Sequence, residues 1–215
     1  MSWFLPDKEN KATWALILLW WLVFLLDNIF FSAASTPAQW LYGFLFQSRG
    51  GLNTALSLIP GHFFAGDYWQ LLTYPFTHTG LFHVAGNTLL MVLIGNILEP
   101  RLHAFPMLVT MLAANTLLGL VCLSFFPPDS YQSGASIGIY ALYGLLLSMA
   151  LTGRQPVEEY MSTRVRNRIA VILILCNLIG WGALIGHGTG FAVGMLCGIL
   201  PGRKLRKEAP GKTDS

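Results

Sequence analysis

The amino-acid sequence predicts an all-α integral membrane protein with six transmembrane helices and both termini in the cytoplasm. Three observations support this prediction: the composition, the length of the apolar segments and the placement of the positive charges. Of the 215 residues, 54% are hydrophobic and 11% are charged, whereas soluble domains carry about 25% charged residues. So few charged side chains cannot cover a water-exposed surface, and the expected solvent is therefore a lipid bilayer.

The apolar segments are long enough to cross that bilayer, because about 20 apolar residues span a hydrocarbon core of roughly 30 Å. The predicted spans are residues 12–31, 80–98, 104–126, 134–152, 168–185 and 186–202. They form one membrane domain, 12–202, between an N-terminal segment, 1–11, and a basic tail, 203–215. A cleaved signal peptide is the alternative for the first span. Its apolar run exceeds a normal signal core, and no clear cleavage site follows it.

The positive charges predict the orientation. All Lys and Arg residues except Arg49 lie in the N-terminal segment, the loop between spans 2 and 3, the loop between spans 4 and 5, and the tail. With six spans these four segments share one side, which the positive-inside rule assigns to the cytoplasm. The basic charge thus follows from topology, and no nucleic-acid partner is expected. Since no organelle-targeting segment is seen, we expect the plasma (inner) membrane.

The long external loop, residues 32–79, contains many aromatic side chains. Irregular backbone with unpaired amides is not tolerated in lipid. We therefore expect this loop to lie in the membrane interface, with Trp and Tyr at the level of the headgroups and short helices within it.

Polar residues inside three of the spans are predicted to lie at one depth. Spans 2, 4 and 6 run in the same direction, from the outside to the inside. With a rise of 1.5 Å per residue, His83, Ser136 and His187 lie roughly 24 to 27 Å above the charged residues that end these spans, and Asn87 roughly 18 Å above. Polar side chains within spans are costly and usually functional. These residues are therefore candidates for a single site slightly below the outer surface.

Ser136 is the candidate nucleophile, because it lies among small residues at the start of span 4. A serine hydroxyl needs a base to take its proton, and the unpaired amides of a helix N-terminus suit a developing oxyanion. A cluster of Gly, Ala and Ser in a membrane helix also marks close packing, and this alternative stays open for Ser136 alone.

His187 is the candidate base, at the edge of a glycine stripe in span 6. The stripe has four-residue spacing and consists of Gly186, Gly190, Gly194 and Gly198. Such stripes let helices approach closely, and Gly134 with Gly138 offers the same spacing on span 4. We predict that these two glycine faces meet, bringing Ser136 and His187 to about 2.6–3.2 Å. Tyr140, one turn after Ser136, is expected to pack against the His187 ring. A structural role for the histidine is the alternative.

His83 and Asn87 lie four residues apart and hence on one face of span 2. Both can donate hydrogen bonds to a negatively charged oxygen. The alternative is a polar clasp between helices. His78 lies nearer the outer surface, and we expect it to tether the loop.

Together these features resemble the rhomboid family of intramembrane serine proteases, over about residues 66–200. The matching pieces are Trp69, His78 with His83 and Asn87, Glu99-Pro100-Arg101, Gly134-x-Ser136, Tyr140, and His187-x-x-Gly190-x-x-x-Gly194. The resemblance implies a six-helix rhomboid-like bundle.

The resemblance also implies a Ser–His dyad of Ser136 and His187 without a carboxylate, and an oxyanion hole from the Ser136 amide, His83 and Asn87. Tyr140, Gly134, Gly190 and Gly194 are the supporting residues that it implies. The implied partners are the lipid bilayer and transmembrane protein substrates, cut near their outer ends, with span 5 admitting them. No metal or cofactor is implied, and the oligomeric state stays open.

Two residues depart from the family pattern. Ile137 stands where many members have Gly, and we expect its branched side chain either to narrow the oxyanion pocket or to alter the approach of the substrate backbone. Gln70 replaces an Arg that often follows the tryptophan of the first loop, which predicts looser anchoring of that loop. Asp27 in span 1 has no evident link to the site.

The main alternative function is a catalytically inactive rhomboid-like protein that binds membrane clients for quality control. Such proteins typically lose the serine or the histidine, whereas this chain has both. A transporter or channel predicts charged residues at mid-membrane or inverted halves, and neither is found. The His-Glu-x-x-His helix that a metalloprotease needs is absent from the sequence. A membrane haem protein, the remaining alternative, would need paired His ligands on facing helices.

Overall fold

The structure, a computed structural model, describes residues 8–48, 50–152 and 181–199. This part of the chain is helical and contains no strand beyond a single β-bridge. In chain order the helices are α1 (Lys11–Phe30), α2 (Pro37–Tyr42), α3 (Gly51–Leu56), α4 (Pro60–Phe64), α5 (Gln70–Thr73), α6 (Leu81–Leu102), α7 (Ala104–Phe125), α8 (Ser136–Leu151) and α9 (Trp181–Ile199). A π-helical turn follows α2 at Gly43–Gln47, and a 3-10 turn follows α5 at Tyr74–Phe76.

Three of these helices, α1, α6 and α7, are long and apolar enough to cross a membrane, with 20, 22 and 22 residues. The helices α8 and α9 contain shorter apolar stretches. The bounds of α1 and α7 lie within one residue of the predicted spans 12–31 and 104–126, whereas α9 begins at Trp181, ahead of the predicted start at 186. Residues 153–180, which hold most of predicted span 5, and the basic tail lie outside the described residues.

Helix α8 is the central helix of the described bundle. It packs against α6, α7 and α9, and most of its apolar residues are buried, as expected for a helix that is hydrophobic all round. With 16 residues it is about 24 Å long, which is shorter than a hydrocarbon core of roughly 30 Å.

The outward faces of α1, α7 and α9 carry large exposed apolar side chains. Among them are Leu18, Leu22, Ile29, Phe105, Leu117, Phe125, Ile185 and Leu196. Apolar surface of this extent is unfavourable in water and matches a lipid solvent.

At the other end of the bundle, Glu99 joins α6 to the N-terminus of α1. Its buried carboxylate accepts hydrogen bonds from the amides of Ala12 and Thr13, both 2.8 Å, and from the Thr13 hydroxyl at 2.7 Å. The first amides of a helix have no partner within the helix, and a negative charge is favourable there. Glu99 therefore fixes the relative position of these two helices.

The first loop, between α1 and α6, is anchored at Asp27, which is fully buried. The Asp27 carboxylate accepts hydrogen bonds from the Ser48 hydroxyl at 2.6 Å and the Asn53 amide at 2.8 Å. The Asn53 side chain in turn donates to the backbone oxygen of His78 at 3.0 Å. The expectation that Asp27 has no link to the site was therefore wrong, because its contacts lead through the loop to the residues that precede α6.

Gln70 also holds this loop. Its side chain is fully buried, and its Oε1 accepts the backbone N–H of Ile59 at 3.0 Å. The side-chain amide of Gln70 thus reaches the backbone of the neighbouring turn directly, and looser anchoring than with Arg stays a prediction.

The segment that leads into α8 is tied to the first loop by backbone hydrogen bonds. Leu58 and Gln132 form a β-bridge with both N–H···O distances at 3.0 Å, and the Gly134 amide donates to the Tyr74 carbonyl at 3.0 Å. The first loop therefore positions the residues immediately before Ser136.

Candidate active site

Ser136 and His187 face each other across the contact between α8 and α9. Their side chains form a hydrogen bond of 2.8 Å between Ser136 Oγ and His187 Nε2. Ser136 is the first residue of α8, and His187 lies in the second turn of α9. Both are nearly buried, with 9% and 7% of their surface exposed. The distance lies within the range that a base needs to accept the proton of a nucleophile.

The glycine stripe of α9 makes this approach possible. Gly190 and Gly194 lie against the backbone carbonyls of Ile137 and Ala141, where a Cβ atom on either glycine would clash with the carbonyl oxygen. The two backbones therefore touch, as close packing between membrane helices requires.

Gly134 and Gly138 do not meet that stripe, and this part of the prediction was wrong, whereas Gly144 of α8 does lie against α9, at the backbone of Phe191. Gly138 faces α7, where a Cβ would clash with Asn115 and Met111, and Gly134 faces α6. Small residues indicate that a neighbour comes close, but they do not indicate which of three neighbours it is.

Ile137 lies at the contact between α8 and α9. A Cβ at Gly186 would lie 3.5 Å from both Cγ1 and Cδ1 of Ile137, so this side chain packs on α9. Its effect on the oxyanion pocket or on the approach of a substrate stays a prediction.

The ring of Tyr140 lies parallel to the ring of His187, with centroids 4.2 Å apart and an interplanar angle of 7°. Tyr140 is 4% exposed and one turn below Ser136 on α8. The structure thus brings Tyr140 to the histidine ring, where the sequence placed it.

His83 and Asn87 meet the chain just before Ser136. A Cβ at Gly134 would lie 2.6 Å from His83 Nε2 and 3.1 Å from Asn87 Nδ2, so both nitrogen atoms point at this residue. Gly134 has a φ of 93°, which L side chains rarely adopt. Glycine is therefore required at this position by both its backbone conformation and the available space.

The side chains of His83 and Asn87 each contact a further side chain. The Thr79 hydroxyl lies 3.3 Å from His83 Nδ1, and His78 Nε2 lies 2.9 Å from Asn87 Nδ2. His78 is fully buried, and burial lowers the pKa of its ring well below the ordinary value, with His83 adding to the effect. A neutral His78 ring can accept the Asn87 amide. The loop-tethering role predicted for His78 is thus accompanied by a direct contact with Asn87.

Asn115 of α7 is a site neighbour that sequence reasoning missed. The side-chain Oδ1 of Asn115 accepts a hydrogen bond from the backbone N–H of Gly138 in α8 at 3.2 Å, and its backbone carbonyl accepts one from the Tyr74 hydroxyl at 2.6 Å. This amide caps the first turn of the nucleophile-bearing helix. An asparagine within the apolar run of span 3 is the signal that pointed to it.

The site therefore combines a hydroxyl bonded to an imidazole, a helix N-terminus and two further nitrogen donors on one side of that terminus. These are the groups that acyl transfer uses: a nucleophile, a base and donors for a developing oxyanion.

Comparison with known proteins shows the family of the chain. A family model described as the Rhomboid domain matches residues 65–204, more than half of the chain. Rhomboid protease GluP of Bacillus subtilis (strain 168) is 27% identical over 213 residues, which cover 95% of this chain and 39% of that protein. Rhomboid-related protein 2 of Mus musculus is 26% identical over 154 residues, or 71% of this chain and 48% of that protein.

A third relative, Rhomboid-like protease 2 of Toxoplasma gondii, is 22% identical over 142 residues, or 66% of this chain and 50% of that protein. The chain thus spans half or less of the length of these three relatives. The family match over residues 65–204 confirms the resemblance drawn from the motifs. Together with its long apolar helices, this match identifies the chain as an integral membrane protein that belongs to the rhomboid family.

Proposed function

We propose that this protein is an intramembrane serine endopeptidase of the plasma membrane, which cleaves transmembrane segments of other membrane proteins near the outer face. The observation that carries the proposal is the 2.8 Å hydrogen bond between Ser136 Oγ and His187 Nε2. Because the two residues come from separate helices, 51 positions apart in the chain, local sequence does not force them together.

In the first step, Ser136 Oγ attacks the carbonyl carbon of the scissile peptide bond while its proton moves to His187 Nε2. The peptide C–N bond then breaks, and His187 returns the proton to the leaving amine. The products of this step are a free amino end and an acyl ester on Ser136.

The oxyanion of the tetrahedral intermediate is stabilised by the Ser136 amide, His83 Nε2 and the Asn87 side-chain amide. Their convergence near Gly134 supports this assignment, and the helix N-terminus adds a partial positive charge. Donors held in place by packing need no reorganisation when the charge develops.

Water completes the reaction. His187 takes a proton from a water molecule, whose oxygen attacks the ester carbon, and the proton then passes to Ser136 Oγ as the ester bond breaks. The residual exposure of Ser136 and His187 is consistent with an opening for this water. No step requires a metal or a cofactor.

The proposed substrate class follows from the surroundings of the site. The peptide bonds that can reach an active site among membrane helices are those of other transmembrane segments. In lipid, the carbonyl groups of such a substrate helix are shielded by the hydrogen bonds of the helix. We therefore expect cleavage near a helix-destabilising position, and the resemblance to the rhomboid family implies a cut after a small residue. The cytoplasmic termini, the six spans and entry past span 5 remain part of the proposal.

The test is co-expression of the full chain with a panel of single-span test proteins, with the cut mapped by mass spectrometry. Wild type should produce a cut near the outer end of at least one span, and Ser136→Ala should abolish it. A fluorophosphonate probe should label wild type but not Ser136→Ala. Binding of the test proteins without labelling or cleavage would instead support the inactive, client-binding alternative.

A further inference from the structure

Thr79 lies at the end of a chain of contacts that begins inside the membrane at Asp27. The Ser48 hydroxyl donates to the Asp27 carboxylate at 2.6 Å, and the Ser48 backbone amide donates to the Thr79 carbonyl. Asp27 and Ser48 are both buried. The backbone of Thr79 is therefore held in place by the first loop, immediately before α6 begins.

The side chain of Thr79 reaches one nitrogen of His83 and leaves the other nitrogen facing the site. Its hydroxyl lies 3.3 Å from Nδ1, while Nε2 points at Gly134, two residues before Ser136. A neutral imidazole carries one proton, so the nitrogen that accepts a hydrogen bond leaves the opposite nitrogen as the donor. The partner of Nδ1 thus decides whether Nε2 can donate.

We propose that Thr79 is a positioning residue, whose hydroxyl donates to His83 Nδ1 and so keeps the Nε2 proton directed at the oxyanion. The inference deepens the proposed protease function and rests on it. Thr79 itself touches no reacting atom, so its effect passes entirely through His83.

The opposite arrangement has a clear consequence. If Nδ1 carried the proton and donated to Thr79, the Nε2 lone pair would face the negatively charged oxygen and repel it. A hydroxyl can donate or accept a hydrogen bond. The direction of the hydrogen bond between Thr79 and His83 therefore has to be tested by removing the Thr79 hydroxyl.

The experiment compares Thr79→Val, which keeps the shape and removes the hydroxyl, with Thr79→Ser, which keeps the hydroxyl. Both variants are made in wild type and in His83→Ala, in the full chain reconstituted into lipid vesicles. The readouts are kcat and KM on one single-span test protein that wild type cleaves.

Thr77→Val is the matched control. Thr77 is a fully buried threonine in the same segment, and its hydroxyl contacts the Ser57 hydroxyl at 3.0 Å and the Tyr74 carbonyl at 2.9 Å. Its loss loosens the loop without touching His83.

Removing a whole oxyanion donor lowers kcat by about 10²- to 10³-fold, and Thr79→Val, which leaves the ring in place, should lower kcat by about tenfold. The KM should stay unchanged, because the oxyanion forms only after binding.

The kcat of Thr79→Ser should remain within about twofold of wild type. Thr77→Val should lower the melting temperature but preserve kcat. In the His83→Ala background, adding Thr79→Val should cause no further loss of kcat.

The inference is overturned if Thr79→Val equals wild type, if Thr79→Ser is as impaired as Thr79→Val, or if the loss persists in His83→Ala. An equal loss of kcat in Thr77→Val would also overturn it. Failure of the proposed function is a separate result: Ser136→Ala would then cleave the test protein as fast as wild type, and both proposals would fall.

Discussion

Tyr140 and His187 form a parallel stack, with ring centroids 4.2 Å apart, and the same His187 ring is hydrogen-bonded to the Ser136 hydroxyl. The stack restricts rotation of the His187 imidazole about its side-chain torsion angles, because any tilt of this ring would separate it from the face of the Tyr140 ring. The two rings come from α8 and α9, the same pair of helices that carries Ser136 and His187.

Tyr140→Leu should therefore lower kcat more than Tyr140→Phe does, since only phenylalanine keeps an aromatic face for His187. Aromatic pairs are worth about 0.5–1.5 kcal/mol beyond their buried area, which corresponds to roughly a twofold to tenfold loss for Tyr140→Leu. The measurement is steady-state cleavage of a single-span test protein. Equal activity of the leucine and phenylalanine variants would contradict a role for the stack.

Gly194→Ala should separate α8 from α9, because the added methyl group clashes with the Ala141 carbonyl oxygen. Overpacking of this kind costs about 1–3 kcal/mol, so the melting temperature in mild detergent should fall together with activity. Gly188→Ala is the control on the same helix, because no atom lies within 4 Å of a Cβ built there. Similar melting temperatures for the two variants would show that the helices are not in backbone contact.

Gly134→Ala should lower the cleavage rate strongly with only a modest loss of stability. A left-handed conformation costs an L-residue about 1–2 kcal/mol, but the methyl group also collides with His83 Nε2 and pushes on Asn87. We expect kcat to fall by at least about 10²-fold, the effect of losing an oxyanion donor. The matched control is Gly66→Ala, also at positive φ, 124°, with nothing within 4 Å of its Cβ position. Gly66→Ala should lose a similar amount of stability through backbone strain but keep its cleavage activity.

Much of the fold follows from the apolar runs. The bounds of α1 and α7 lie within one residue of the predicted spans because lipid-facing helices must be continuously apolar. The start of α9 was predicted too late, since residues 181–185 were assigned to the end of span 5 and the apolar run continues from there into span 6 without a charged break. The prediction that His83, Ser136 and His187 lie at one depth in the membrane was possible because the rise per residue of an α-helix is nearly constant.

The choice of contact partner was not predictable in the same way. Gly134 and Gly138 were expected against α9 but face α6 and α7, because spacing along one helix does not give the rotation of that helix within a bundle. The anchoring roles of Asp27 and Gln70 were also missed. Their partners lie in the first loop, whose irregular backbone has no periodicity from which contacts can be derived.

The central claim is that Ser136 and His187 act as one unit, and a double-mutant cycle on kcat/KM tests it most directly. Ser136→Ala and His187→Ala should each lower kcat/KM by roughly 10⁴-fold or more, and the double variant should lose little beyond either single variant. A nucleophile without its base, or a base without its nucleophile, performs no step of the reaction. Independent losses that multiply in the double variant, or a His187→Ala protein that cleaves as wild type does, would contradict the account.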